Sequence, residues 1–209
     1  WSEDLKRICV AVECFHKASL IHDDIEDEDD QRYGEQTLHA SHGVAVALNV
    51  GDLLVGEGYR LIAATGLSPE QKAAMLQVAA EGHRQLCRGQ GAELCWMRDP
   101  HPMKPVEVLE IFRSKTAPAF EVALQMGAIF AGLDLHEGVQ GTLHAYSEAL
   151  GIAYQIRDDL SDQRAARDKV ETGRVVEIDR PGSGDNEREP LEDQHHAECR
   201  DKGRDLHLG

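Results

Sequence analysis

Two aspartate clusters, Asp23-Asp24-Ile25-Glu26-Asp27 and Asp158-Asp159-Leu160-Ser161-Asp162, share the pattern D-D-x-x-D. They lie far apart in the chain, and each closes an apolar, helix-like stretch. On a helix, residues four apart share a face, so Asp23 projects with Asp27 and Asp158 with Asp162. Like charges at that spacing cost a bare helix about 0.2–0.5 kcal/mol per pair. A cation offsets such a cost, and all-oxygen ligands suit a hard one. Mg²⁺ takes one or two carboxylates and completes its shell with water and substrate phosphate. A single acidic run of this kind reads as a solvated helix face. Two copies, each following an apolar segment, read as a site for a polyanion carried by several metal ions.

The elements that must position these clusters are helical throughout. Residues 5–27 carry an i, i+3, i+4 stripe of Leu5, Ile8, Cys9, Val12, Phe15, Ala18, Ser19 and Leu20. Residues 43–64 are apolar nearly all round, which predicts a buried helix. Ser68-Pro69-Glu70-Gln71 is a helix start, and that helix should run to about Met97 and end at Asp99-Pro100-His101-Pro102. The next begins near Pro105, should kink at Pro118 and closes at Gly132. A last long helix covers roughly 137–162. No alternating strand pattern is visible. The reading is an all-α bundle, in which facing helices build a site from inward-projecting side chains. Residues 1–163 form the core. Residues 164–209 are charge-dense with scattered aliphatics such as Val175, Val176 and Ile178, and read as a disordered or divergent tail.

The ordered motifs resemble those of the trans-isoprenyl diphosphate synthases, the polyprenyl synthetase family. Leu20-Ile21-His22-Asp23-Asp24-Ile25-Glu26-Asp27, followed by Arg32, Gly34 and Thr37-Leu38-His39, resembles the family's first aspartate-rich motif. Tyr154-Gln155-Ile156-Arg157-Asp158-Asp159-Leu160-Ser161-Asp162 resembles its second. Between them, Asn49-Val50-Gly51-Asp52-Leu53-Leu54 matches a helix segment of the family. Gly89-Gln90-Gly91-Ala92-Glu93-Leu94 is similar to its G-Q-x-x-D-L, and Ser114-Lys115-Thr116-Ala117 to its Lys-Thr element.

The resemblance implies an isoprenoid-synthase-like bundle with a central cavity, lacking its first and last helices. It implies a Mg²⁺-dependent prenyltransferase, with three ions once diphosphate is bound. Asp23, Asp27 and Asp158 are the expected direct metal ligands, with Asp24, Asp159 and Asp162 as direct or water-mediated partners. Arg32, Lys115, Thr116 and Gln155 match positions that support the diphosphate of an allylic substrate, whose cation isopentenyl diphosphate then attacks. The plainer readings are that Arg32 caps a helix end and that Lys115 pairs with Glu110 or Glu121. Ala18 and Ser19 match the floor met by the growing chain. Both are small, with Phe15 one turn deeper, so a product of C20 or longer is expected. A homodimer is implied as well. Tyr33 stands where the family has a second arginine, and neither an upstream Gly-Gly-Lys-Arg element nor the usual downstream helices are found. A class I terpene cyclase, or a non-catalytic subunit of a heteromeric synthase, are the alternative classes.

Composition sets the outer bounds. With 38 Asp+Glu against 22 Lys+Arg and a formal charge of −16, the chain is unsuited to nucleic acid. Cys9, Cys14, Cys87, Cys95 and Cys199 form no C-x-x-C pair and read as small core residues in a reducing cytosol. The eleven histidines show no tetrahedral grouping. No apolar run reaches the length of a membrane span and no signal peptide is visible, which points to a cytoplasmic protein. A chain opening at Trp1 reads as a fragment.

Overall fold

The first helix, α1 (Glu3–Glu26), starts at Ser2, whose hydroxyl accepts from the Leu5 amide. In the computed structural model this helix opens a chain described over residues 1–133 and 135–177, without the side chains of 159 and 162–177. A hairpin of two two-residue strands follows, β1 (Gln31–Arg32) and β2 (Glu35–Gln36), paired antiparallel with Gln31 opposite Gln36. Then come α2 (Leu38–His42), α3 (Val44–Ala63), α4 (Pro69–Arg98), α5 (Pro105–Phe130) and α6 (Glu137–Glu177). The chain divides into two units, Trp1–Arg164 and Ala165–Gly209. Of the second, only the continuation of α6 is described, and residues 178–209 of the expected tail lie outside the described residues.

Local chemistry explains the helix bounds. Ser68 and Gln71 form a reciprocal capping box at the start of α4, with Pro69 in the first turn. α5 runs unbroken through the buried Pro118 and ends before Gly132, whose φ of +74° suits a residue without a Cβ. α6 begins at the expected place but continues to Glu177.

The core of the first unit comes from four helices: Ile8 and Ala11 of α1, Ile62 of α3, Met75 and Ala79 of α4, Met126 and Ile129 of α5. Glycines set how closely the helices meet. A Cβ on Gly89 of α4 would lie 2.3 Å from the carbonyl carbon of Ser114. One on Gly151 of α6 would lie 2.7 Å from the backbone of Ala117. α5 is therefore gripped backbone to backbone from both sides.

Three expectations are corrected here. α3 is not a buried helix: Ala47, Gly51, Gly58 and Ile62 face inward, but Val44, Val46, Leu48 and Leu53 are exposed, Leu53 at 66%. α3 meets α1 chiefly, and α2 and α4 to a lesser extent, and these exposed side chains lie outside those contacts. The described cysteines are not core residues either, since Cys9, Cys87 and Cys95 are exposed and Cys14 is half-buried. The β-hairpin went unforeseen because strands of two residues carry no period. Its turn places Tyr33 at φ +54° and Gly34 at φ +84°, and two positive values in succession mark the tight turn that matches strand twist.

Among the described residues no helix is long and apolar enough to cross a membrane.

Candidate active site

The first aspartate cluster occupies the carboxyl end of α1, with Asp27 as its C-cap and the Asp27 amide bonded to the Asp23 carbonyl at 2.8 Å. The negative end of the helix dipole lies here, and no basic residue sits in the last turn. Carboxylates crowded at that pole repel one another. Burial pushes the Asp23 carboxyl up to about 6, and the charges of Glu26 and Asp27 add to it. Asp27 is raised too, first by burial, while Lys115 of α5 pulls both carboxyls back.

Asp24 is paired in this state. Its side chain is 7% exposed and accepts from Arg32 Nε at 2.6 Å. Arg32 sits on β1, so this ion pair fastens the hairpin to the end of α1. Neither a helix cap nor a free fork describes Arg32 in this state. Thr37 closes the same loop by donating its hydroxyl to the Asp29 carbonyl at 2.7 Å. On the other side, Gly51 of α3 leaves the space that the His22 ring fills, because a Cβ there would fall 2.2 Å from His22 Nε2. That nitrogen is buried without a hydrogen-bond partner, 3.7 Å from Asp52 Oδ1.

α4 reaches the cluster through residues that spacing alone left unassigned. Gln90 Nε2 donates to Glu26 Oε2 at 2.9 Å, and Glu93 Oε2 accepts from Lys115 Nζ at 2.5 Å. Lys115 thus pairs with neither Glu110 nor Glu121. The Gln90 and Glu93 positions, three apart on one helix face, were the signal that could have revealed this.

The adjacent Thr116 turns toward α6, where its hydroxyl donates to Gln155 Oε1 at 3.1 Å. Lys115 and Thr116 therefore link the first cluster to the helix that carries the second. There Asp158 is half-buried, 3.5 Å from Arg157 Nη2. Arg157 lies 4.7 Å over the Tyr154 ring, which meets Phe120 of α5 edge-on at 6.0 Å. The side chains of Asp159 and Asp162 lie outside the described residues. Among the described residues no three potential ligands form a preassembled metal cluster.

Of the two residues matched to the product floor, Ala18 is buried in the core and Ser19 is exposed, its hydroxyl bonded to the His16 carbonyl at 2.9 Å. Phe15 fills the space left by Gly58 of α3 and stacks edge-on with Tyr59 at 5.0 Å. A cavity of about 450 Å³ lies among Gly89, Ser114, Ala117, Glu121 and His144, and among the described residues neither aspartate cluster lines it.

The polyprenyl synthetase family model matches residues 2–179. The chain belongs to the polyprenyl synthetase family. It is 32% identical over 182 residues to farnesyl diphosphate synthase of Haemophilus influenzae, covering 85% of this chain and 60% of that protein. It is 35% identical over 154 residues to octaprenyl diphosphate synthase of the same organism, covering 74% of this chain and 44% of that one. Among solved structures, geranylgeranyl pyrophosphate synthetase from Pyrococcus horikoshii Ot3 superposes with a TM-score of 0.70 at 34% identity, over 76% of this chain and 48% of the other. The chain spans about half the length of several curated relatives it matches. These polyprenyl synthetase relatives carry names for both short and long products, so membership alone leaves product length open.

Proposed function

We propose that this chain is the metal and allylic-substrate half of a Mg²⁺-dependent polyprenyl diphosphate synthase. It would join an allylic diphosphate to isopentenyl diphosphate and yield a product of C20 or longer. One observation carries the reading. Lys115 lowers the pKa of both first-cluster aspartates while its neighbour Thr116 bonds Gln155, three residues before Asp158. A single turn of α5 thereby joins everything a diphosphate would need.

The donor set fits magnesium. Asp23 and Asp27 are crowded carboxylates at a negative helix pole, and Mg²⁺ needs only one or two such ligands beside water and phosphate. Asp23, Asp27 and Asp158 would hold the ions, with Asp159 and Asp162 as further candidates. When bound, the metal neutralises charge on the departing diphosphate. Lys115 adds a point charge on the same oxygens and Thr116 a hydroxyl, stabilising charge as it develops. Asp24 serves the site indirectly, by anchoring β1 through Arg32.

Product length follows from the small residues at the α1 turn above Asp23. Because Ala18 is buried in the core, a large side chain there would overpack it. Ser19 is the better test, and Ser19→Phe should shorten the product distribution while ionisation continues. Homodimerisation is supported by the uncovered apolar side chains Val44, Leu48 and Leu53 on α3. Leu53→Glu should then convert dimer to monomer in light scattering.

The deciding assay incubates the full-length gene product with Mg²⁺ and farnesyl diphosphate, with and without labelled isopentenyl diphosphate. Labelled elongated diphosphates are expected. Cyclic hydrocarbon formed without isopentenyl diphosphate would replace this reading with a cyclase, which the tyrosine at position 33 would suit. No consumption of either substrate would leave a non-catalytic subunit.

A further inference from the structure

Glu93 has a role that the proposed reaction does not require. Its carboxylate lies 2.5 Å from Lys115 Nζ, with the side chains 23% and 18% exposed respectively, so water competes poorly for either. Glu93 also contributes to the raised carboxyl of Asp27, which places it against the first cluster from the α4 side. The pair is held by backbone as well. One turn earlier, Gly89 lets α4 meet α5 so closely that a Cβ there would lie 2.4 Å from the Lys115 amide nitrogen. α4 cannot recede from Lys115 without breaking that seat. The motif matched here, G-Q-x-x-D-L, carries aspartate at this position, and this chain has one methylene more of reach.

An ammonium held at that distance by a carboxylate is not free to meet a diphosphate. Lys115 would have to leave Glu93, or share itself, at the moment a phosphate oxygen arrives. We propose that Glu93 is a positioning residue that parks Lys115 against the acidic cluster while the site is empty and competes with the diphosphate for it. It would thereby set the affinity for the allylic substrate. This rests on reading Lys115 as a diphosphate ligand. The extra reach of glutamate makes the hold stronger than a shorter carboxylate would.

Inorganic pyrophosphate with excess Mg²⁺, titrated calorimetrically into the full chain, is the probe. Glu93→Gln should tighten pyrophosphate binding at least threefold, and Glu93→Asp should tighten it by less. In a Lys115→Ala background Glu93→Gln should change nothing, because the competition needs the ammonium. The Michaelis constant for the allylic diphosphate should fall in parallel, with a smaller change in kcat. Circular dichroism of each variant checks that the helices survive. Unchanged or weaker binding in Glu93→Gln overturns the inference. So does an equal gain with and without Lys115, which would mean simple removal of a negative charge. A protein that binds pyrophosphate with this coupling yet elongates nothing defeats the proposed reaction alone. One that elongates normally without the coupling defeats the role of Glu93 alone. Absence of pyrophosphate binding defeats both.

Discussion

The two aspartate clusters share a spelling but not a setting. The first ends a helix and is braced from three directions, by Arg32 from β1, by His22 seated on Gly51 of α3 and by Gln90 from α4, with the charge of Lys115 on α5 nearby. The second lies within a long helix, where Asp158 is 3.5 Å from the adjacent Arg157. Its support comes one turn earlier, from Gln155 and Tyr154. A helix end exposes carbonyls and crowds acids at a negative pole, so it needs bracing. A mid-helix carboxylate has its backbone satisfied and can wait in solvent. The first cluster is therefore braced across elements, whereas the described contacts around Asp158 run along α6 and, one turn earlier, to α5.

The largest effect is one in which the two should agree. Asp23→Ala and Asp158→Ala should each lower turnover by at least a hundredfold with helical circular dichroism intact, since each removes transition-state charge stabilisation. Full activity in either variant would show that its cluster does not take part.

Stability should divide them. Asp24→Ala leaves the Arg32 guanidinium partly buried and unpaired, and should cost about 2–3 kcal/mol in denaturant unfolding. Asp158→Ala, at a half-buried position, should cost about 0.5 kcal/mol or less. Equal losses would erase the distinction between the buried Asp24 pair and the half-buried Asp158.

The pH dependence sharpens it further. Asp23 binds its proton more tightly folded, at about 6, than an ordinary aspartate carboxyl at 3.8. Its contribution to stability is therefore full below that lower value and is lost as pH rises through about 6. In metal-free protein the loss should be about 1–2 kcal/mol after allowance for partial exposure. Asp23→Asn should flatten the slope. A flat wild-type profile between pH 4 and 7 would show that the first cluster is not electrostatically crowded.

The smallest effect belongs to the α5–α6 contact. His144 Nδ1 lies 2.9 Å from Glu121 and its Nε2 3.3 Å from Glu148, with Arg113 also bonded to Glu148 at 2.9 Å. The bond to Glu121 raises the imidazole pKa. This clasp is present below the ordinary histidine value and is lost as pH rises through the folded one. His144 is over half exposed, so the change in melting temperature should be slight, and absent in His144→Ala.

What the sequence made legible was local. The Ser68 box, Pro105 and Gly132 bound α4 and α5 because caps and breakers act within a turn. The aspartate spacing was visible for the same reason. Partnership across helices was not. Glu93 meeting Lys115 depends on how α4 lies on α5, and Asp24 becoming a buried anchor depends on where the hairpin folds back. The misjudged exposure of α3 has a related cause. A helix apolar on all sides states that its faces need covering, not that this chain supplies the cover.

The glycine seats along α5 carry one more consequence. Where backbones touch, as at Gly89 against Ser114 and Gly151 against Ala117, no side chain can grow or shrink to change the gap. Substitution of side chains has no purchase on the width of that seam. Side chains remain adjustable on the α1–α3 face, where Ser19 is exposed and Phe15 fills a gap rather than lying against main chain. A lineage of such proteins could therefore diversify along α1 and α3 while the seam of α5 with α4 and α6, which sets Lys115 and Thr116, stays fixed in dimension.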